Sequence, residues 1–153
     1  MIYSNACEYA IRGMAYLARQ PSGKLYLLNE IAAYENLPYH FMGKIFQTLV
    51  RASLLRSVKG PRGGFELARP PEQITLYQIK EAIDGTVDLY RCAVGLERCD
   101  DQMPCPLHET FKPLRLQIRD YLESTTLAEM AQAVQKKKKP LSSSTRKKRR
   151  ASA

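Results

Sequence analysis

Cys92, Cys99 and Cys105 are separated by six and five residues, and His108 follows three positions later. Structural zinc sites pair their ligands more tightly, with two to four residues between them. Iron–sulfur clusters accept looser spacing, because a loop can wrap a larger inorganic core. Three thiolates leave one ligand position open, and His108 is within reach of it. Pro104 and Pro106 stiffen the approach. A zinc site, a thiol switch and ordinary unreactive thiols are the other readings of the same residues. The fourth cysteine, Cys7, reads as a small core residue. Glu8 has two readings, a helix cap with Asn5 or a ligand supplied from a partner subunit's first helix.

Other chemistries have little to build on. The chain carries two histidines, His40 and His108, and no Ser/His/Asp set, phosphate loop or dinucleotide fingerprint, so it reads as a non-enzyme. His40 is expected at the surface with no metal or catalytic role. No apolar run approaches the ~20 residues that span a bilayer, and the N-terminus lacks a basic stretch followed by an apolar one. A cytoplasmic protein without membrane attachment is the expectation.

The 153 residues carry a net charge of +9, and its distribution matters more than its size. Lys136 to Lys139 and the run Arg146, Lys147, Lys148, Arg149 and Arg150 hold nine of the 24 basic residues; no acid lies beyond Glu129, so the other 15 cations balance the 15 acids. Residues 1–135 are formally neutral. Any affinity for DNA in that part must come from the placement of charges.

The elements that would position these groups follow from hydrophobic spacing. Residues 5–20 read as a helix opened by Asn5 and Glu8 and closed by Pro21-Ser22-Gly23. A short helix over 28–35 buries Leu28, Ile31 and Ala32. After the turn Asn36-Leu37-Pro38, a third helix pairs Phe41/Met42, Ile45/Phe46 and Leu49/Val50 on one face. Strands at 54–58 and 65–67 flank Lys59-Gly60-Pro61-Arg62-Gly63-Gly64, the pattern of a hairpin. Thr75 and Gln78 cap a helix with Leu76, Ile79 and Ile83 inward, ending near Gly85.

Residues 86–106 read as irregular. A longer helix then runs to about Glu123 with Leu107, Phe111, Leu114, Ile118 and Tyr121 along a seam of coiled-coil type, interrupted by Pro113. Thr126 and Glu129 open a final helix to about Gln135, and 136–153 read as a disordered basic tail. The fold class is mainly α with a small β-hairpin wing: a winged helix-turn-helix plus a long dimerisation helix. The expected division is 1–85 for the winged unit, 86–106 for the cysteine loop, 107–135 for the dimerisation and C-terminal helices, and 136–153 for the tail.

Two helices, a turn, an amphipathic third helix and a Gly-rich hairpin are the order of a DNA-reading winged helix-turn-helix. Tyr39, His40, Gly43, Lys44 and Gln47 are the candidates to face the major groove. Lys44 suits guanine acceptors or phosphate, and Gln47 suits adenine. Lys59, Arg62 and Gly63 are the wing-tip candidates, because an arginine there can enter a minor groove and glycines permit close backbone approach.

These stretches together resemble the Rrf-two (Rrf2) family of bacterial regulators, with its IscR-like and NsrR-like iron–sulfur branches. The residues that carry the resemblance are Cys7 to Arg12, Val58 to Phe65, the three spaced cysteines with Pro106-Leu107-His108, and Thr126 to Glu129, within about residues 1–133. The resemblance implies a homodimer on double-stranded DNA, with Cys92, Cys99 and Cys105 as cluster ligands. In the IscR-like branch a histidine placed like His108 completes a 2Fe–2S site. In the NsrR-like branch an acid placed like Glu8 completes a 4Fe–4S site across the dimer. This chain has both residues and one extra residue between its first two cysteines; 2Fe–2S with His108 is the preferred expectation. A regulator or adaptor with a zinc-bound or thiol-switch loop is the alternative.

Overall fold

The computed structural model describes residues 2–96 and 101–138. Six α-helices and one hairpin follow in the order α1 (Asn5–Ala18), α2 (Leu28–Glu35), α3 (Tyr39–Arg51), β1 (Leu55–Val58), β2 (Gly64–Leu67), α4 (Leu76–Asp84), α5 (His108–Ser124) and α6 (Leu127–Lys138). Single 3-10 turns sit at Pro71–Gln73 and Val87–Leu89. The expected fold class, a winged helix-turn-helix with a long following helix, is the one observed.

The core forms around α1. Cys7, Ala10, Met14 and Ala15 on α1 are fully buried, as are Ile31 of α2, Met42, Phe46 and Leu49 of α3, and Leu76 and Ile79 of α4. Small residues let α3 approach α1 closely. A Cβ at Gly13 would lie 2.8 Å from both Met42 Cε and Phe46 Cε1. The wing is antiparallel, with Leu55 opposite Leu67 and Val58 opposite Gly64. Tyr26 extends it by one bridge, exchanging backbone hydrogen bonds with Phe65 at 3.0 and 2.8 Å. Phe65 stands edge-on to Phe46 at 5.1 Å, which ties the wing to α3.

Several caps are where the sequence puts them. Thr75 and Gln78 cap α4 reciprocally, and Thr126 and Glu129 do the same for α6. The first helix differs. Its cap is Ser4, whose hydroxyl accepts from the Cys7 N–H at 3.2 Å, and Asn5 is the first helical residue. Ser4 is fixed there because its own N–H and hydroxyl both bond the Asp84 carboxylate at the end of α4. Phe41, expected inward, is 44% exposed and meets only the edge of Tyr9. The last helix continues through Lys138, beyond the expected end near Gln135.

The C-terminal helices are part of the same core. Leu122, Leu127 and Ala131 are buried with the α1 residues, and α6 lies against α1. Backbone bonds from Leu76 N–H to the Thr125 carbonyl (3.0 Å) and from Leu127 N–H to the Ile74 carbonyl (2.7 Å) stitch the start of α6 to the start of α4. The Gly13 contact gives a direct check on the core. Gly13→Ala overpacks the α1–α3 crossing at a cost of about 1–3 kcal/mol. Circular-dichroism melting at fixed protein concentration should show a midpoint lower by several degrees; an unchanged midpoint would mean that the two helices can separate freely.

Candidate DNA interface and cysteine loop

The third helix presents the expected polar face. Tyr39, His40, Lys44 and Gln47 are exposed, while Met42, Ile45, Phe46 and Leu49 on the other side are buried. Tyr39 and His40 touch edge to face at 5.5 Å at the first turn. Gly43 is half-buried, and a Cβ there would meet Leu28 of α2 at 3.6 Å, so its smallness serves the α2–α3 contact. On the wing, Lys59 and Arg62 are exposed. Gly63, grouped with them by sequence, is buried. Its N–H bonds the Gly60 carbonyl at 2.9 Å, and any Cβ would run into the Val58 carbonyl. The turn itself therefore requires glycine at 63, and the projecting groups are Lys59 and Arg62.

Sequence reasoning missed a buried ionic node behind this unit. Glu35, at the end of α2, is 1% exposed, and its carboxylate receives Arg19 Nη2 at 2.9 Å, Lys138 Nζ at 2.6 Å and Arg12 Nε at 3.4 Å. The guanidinium of Arg12 also donates to the Glu35 carbonyl. The signal was weak in sequence, since the three cations come from two helices far apart along the chain.

The cysteine segment hangs from α4. Lys80 is 1% exposed, and its ammonium donates to the Gly85 carbonyl at 3.1 Å and to Asp88 at 2.9 Å. Leu89 is buried next to this turn. From the other side α5 holds the segment by four side chains. Arg119 lies over the Tyr90 ring at 5.6 Å and Arg115 donates to the Arg91 carbonyl at 3.3 Å. His108 Nε2 lies 2.7 Å from Asp101 Oδ1, and Lys112 donates to both oxygens of the same carboxylate. Side-chain hydrogen bonds from Lys112 first and His108 second hold the Asp101 carboxyl below its ordinary range.

Cys92 and Cys105 come together, with their sulfurs 3.5 Å apart. That is far longer than the ~2.05 Å of a disulfide. Two thiolates on one tetrahedral metal, each at about 2.3 Å, would sit about 3.8 Å apart. Cys92 starts a turn closed by the Gly95 N–H on its carbonyl at 3.0 Å. The backbone N–H of Val94 foremost, the Cys105 thiol, and the N–H groups of Leu96 and Ala93 favour the thiolate and lower the Cys92 pKa. A low-pKa sulfur ringed by N–H donors suits a metal or cluster ligand. His108 is 3% exposed, and its carboxylate partner is the kind that orients a ligating imidazole.

Among the described residues, no three His, Cys, Asp or Glu side chains converge as a metal-binding group. Cys99, the expected third thiolate, lies outside the described residues. Glu8 does not cap α1; it is half-buried, and its carboxylate makes no hydrogen bond or ion pair among the described residues. Cys7 is completely buried, and burial pushes its thiol up to about 12.

Comparison with known proteins decides the family. The Rrf2 family model, described as an iron-dependent transcriptional regulator, matches residues 3–133. This chain belongs to the Rrf2 family. Among its relatives is an Aquifex aeolicus protein provisionally named an HTH-type transcriptional regulator, 33% identical over 144 residues, covering 93% of this chain and 99% of the relative. The HTH-type transcriptional regulator IscR of Sodalis glossinidius is 31% identical over 123 residues, covering 80% of this chain and 74% of its own. The solved structure of CymR, the global cysteine regulator of B. subtilis, superposes with a TM-score of 0.72 at 27% identity, over 85% of this chain and 95% of that one. As an Rrf2-family member this chain is a DNA-binding transcriptional regulator. No helix among the described residues is long and apolar enough to cross a membrane.

The two described classes of thiol in this Rrf2 protein should separate by reactivity. At pH 8 a thiol with a pKa of about 12 is ionised in only about one molecule in 10⁴. Iodoacetamide on native, metal-free protein should label Cys92 and Cys105 and spare Cys7, read by peptide mass spectrometry. Equal labelling of Cys7 would contradict its burial.

Proposed function

We propose that this chain is a homodimeric, cluster-controlled regulator that engages two half-sites of double-stranded DNA. Its cluster is 2Fe–2S in preference to 4Fe–4S, with Cys92, Cys99 and Cys105 as ligands. The observation that carries the reading is the Cys92–Cys105 pair, with sulfurs 3.5 Å apart and Cys92 favoured as thiolate by backbone donors. When bound, such a cluster supplies electron exchange and reactivity toward oxidants or nitric oxide.

The fourth ligand is His108, whose ring Asp101 orients from Nε2; Glu8 of the partner subunit is the alternative. A dimer is supported by the seam on α5. Leu107, Leu114 and Tyr121 are 48%, 56% and 43% exposed, and Phe111 and Ile118 are only half-buried in the single chain. Covering that seam with a second α5 would remove the exposure without altering the core. Tyr39, His40, Lys44 and Gln47 read the major groove, and Lys59 and Arg62 hold the wing to the adjoining groove. The winged unit, the cysteine loop and the dimer helix then divide the work near residues 85 and 107.

The same sulfur pair supports a second reading, a zinc-bound or thiol-switch loop with no cluster. Anaerobic purification separates them. The expected protein is brown, with visible absorbance and equal iron and sulfide, and His108→Ala alters the spectrum while Glu8→Ala does not. The reverse pattern for the two variants transfers the ligand to Glu8. Colourless protein with stoichiometric zinc, or metal-free protein with a Cys92–Cys105 disulfide, would overturn the cluster.

A further inference from the structure

The charge at the corner where α1, α2 and the end of α6 meet is not balanced. One carboxylate, Glu35, faces three cations, Arg12, Arg19 and Lys138. The node therefore carries a surplus of two positive charges. Two of its cations remain open to solvent, with Arg12 and Lys138 side chains 37% and 35% exposed. Lys136 and Lys137 are exposed beside them on the last turn of α6. An aromatic ring completes the corner. Tyr34 is 58% exposed, with Lys138 Nζ 4.7 Å and Arg19 5.6 Å from its centroid.

We propose that this corner is a second DNA-contacting surface, a sequence-independent clamp for the phosphate backbone beside the operator. It rests on the reading of α3 as the DNA-facing helix. Location favours duplex DNA over other polyanions. Only Asn36, Leu37 and Pro38 separate Glu35 from α3. Tyr34 and Tyr39 are five residues apart, hence no more than about 18 Å. At 3.4 Å per base pair, that places the corner within about five base pairs of the first turn of α3. Phosphates are the groups at that distance from a helix docked in the major groove. Exposed arginine and lysine beside an aromatic ring suit phosphate oxygens and sugar faces.

The sequence beyond the described residues is also basic. Lys139 and the cations from Arg146 to Arg150 follow, and no acid lies beyond Glu129 to neutralise them. Residues 1–135 are formally neutral, so a sequence-independent hold on DNA needs a local surplus of this kind. Lys138 joins that basic run to Glu35 and Tyr34, at the helix-turn-helix itself.

The test is fluorescence anisotropy of the full chain with a thirty-base-pair duplex of arbitrary sequence, over a range of salt. Each lost phosphate contact should lower the slope of log K against log salt by about 0.9. The K136Q/K137Q/K138Q variant should flatten the slope by about 2 to 3 and weaken binding at least about tenfold at low salt. The K136Q/K137Q variant, which keeps the Lys138 anchor, should show about two-thirds of that slope change and so guards against misfolding of the triple variant. An unchanged slope in both, with unchanged melting, overturns the clamp. So does a loss of binding to phosphatidylserine vesicles with duplex binding intact, which would make the corner a membrane contact. Arg62→Ala separates the two readings. If it weakens duplex binding while the lysine variants do not, the wing contacts DNA and the clamp falls alone; if the unaltered chain binds no duplex, the DNA-facing reading of α3 falls with it.

Discussion

A lysine ammonium almost closed to solvent must find acceptors, because a buried unpaired charge costs several kcal/mol. Lys80 finds two, the Gly85 carbonyl and the Asp88 carboxylate, and both belong to the segment that leaves α4. This pin sets where the chain goes after the winged unit ends. It seats Leu89 against the core and brings Tyr90, Arg91 and Cys92 under α5. One short segment is thus fixed to α4 at one end and to α5 along its length.

That double attachment gives the cysteine loop leverage. Arg115, Arg119, His108 and Lys112 all project from α5, the helix that carries the exposed apolar seam. A change in the sulfur environment would act on these four side chains as well as on the attachment to α4. In the proposed dimer joined along α5, a small rotation of that helix would change the separation of the two α3 helices. Both half-sites must be engaged together, so affinity responds to the separation. The backbone bonds of Leu76 and Leu127 tie the start of α4 to the junction of α5 and α6.

The sequence revealed the elements that rest on periodicity and local capping. The amphipathic faces of α3 and α4 and the reciprocal caps at Thr75 and Thr126 were legible because each depends on residues three or four apart. The hairpin was legible from its glycines, and the structure shows that the turn itself requires Gly63. What stayed hidden was long-range. Ser4 replaces Asn5 as cap because Asp84, eighty residues on, fixes it. Glu35, read only as the end of a short helix, is the buried centre of three cations. Nothing in the local pattern of α4 announced the partners of Lys80, Gly85 and Asp88. Membership of the Rrf2 family was visible from motif order alone.

The account turns on one link, from the cysteine loop to DNA affinity. The direct measurement is the dissociation constant of the cluster-loaded and cluster-free protein for one operator duplex, selected from a random pool, at the same salt and pH. At least a tenfold difference between the two forms is expected, about 1.4 kcal/mol of coupling, and a smaller difference in Arg115→Ala, which removes one of the loop's four ties to α5 without touching a sulfur. Equal affinity of the loaded and empty protein would contradict it.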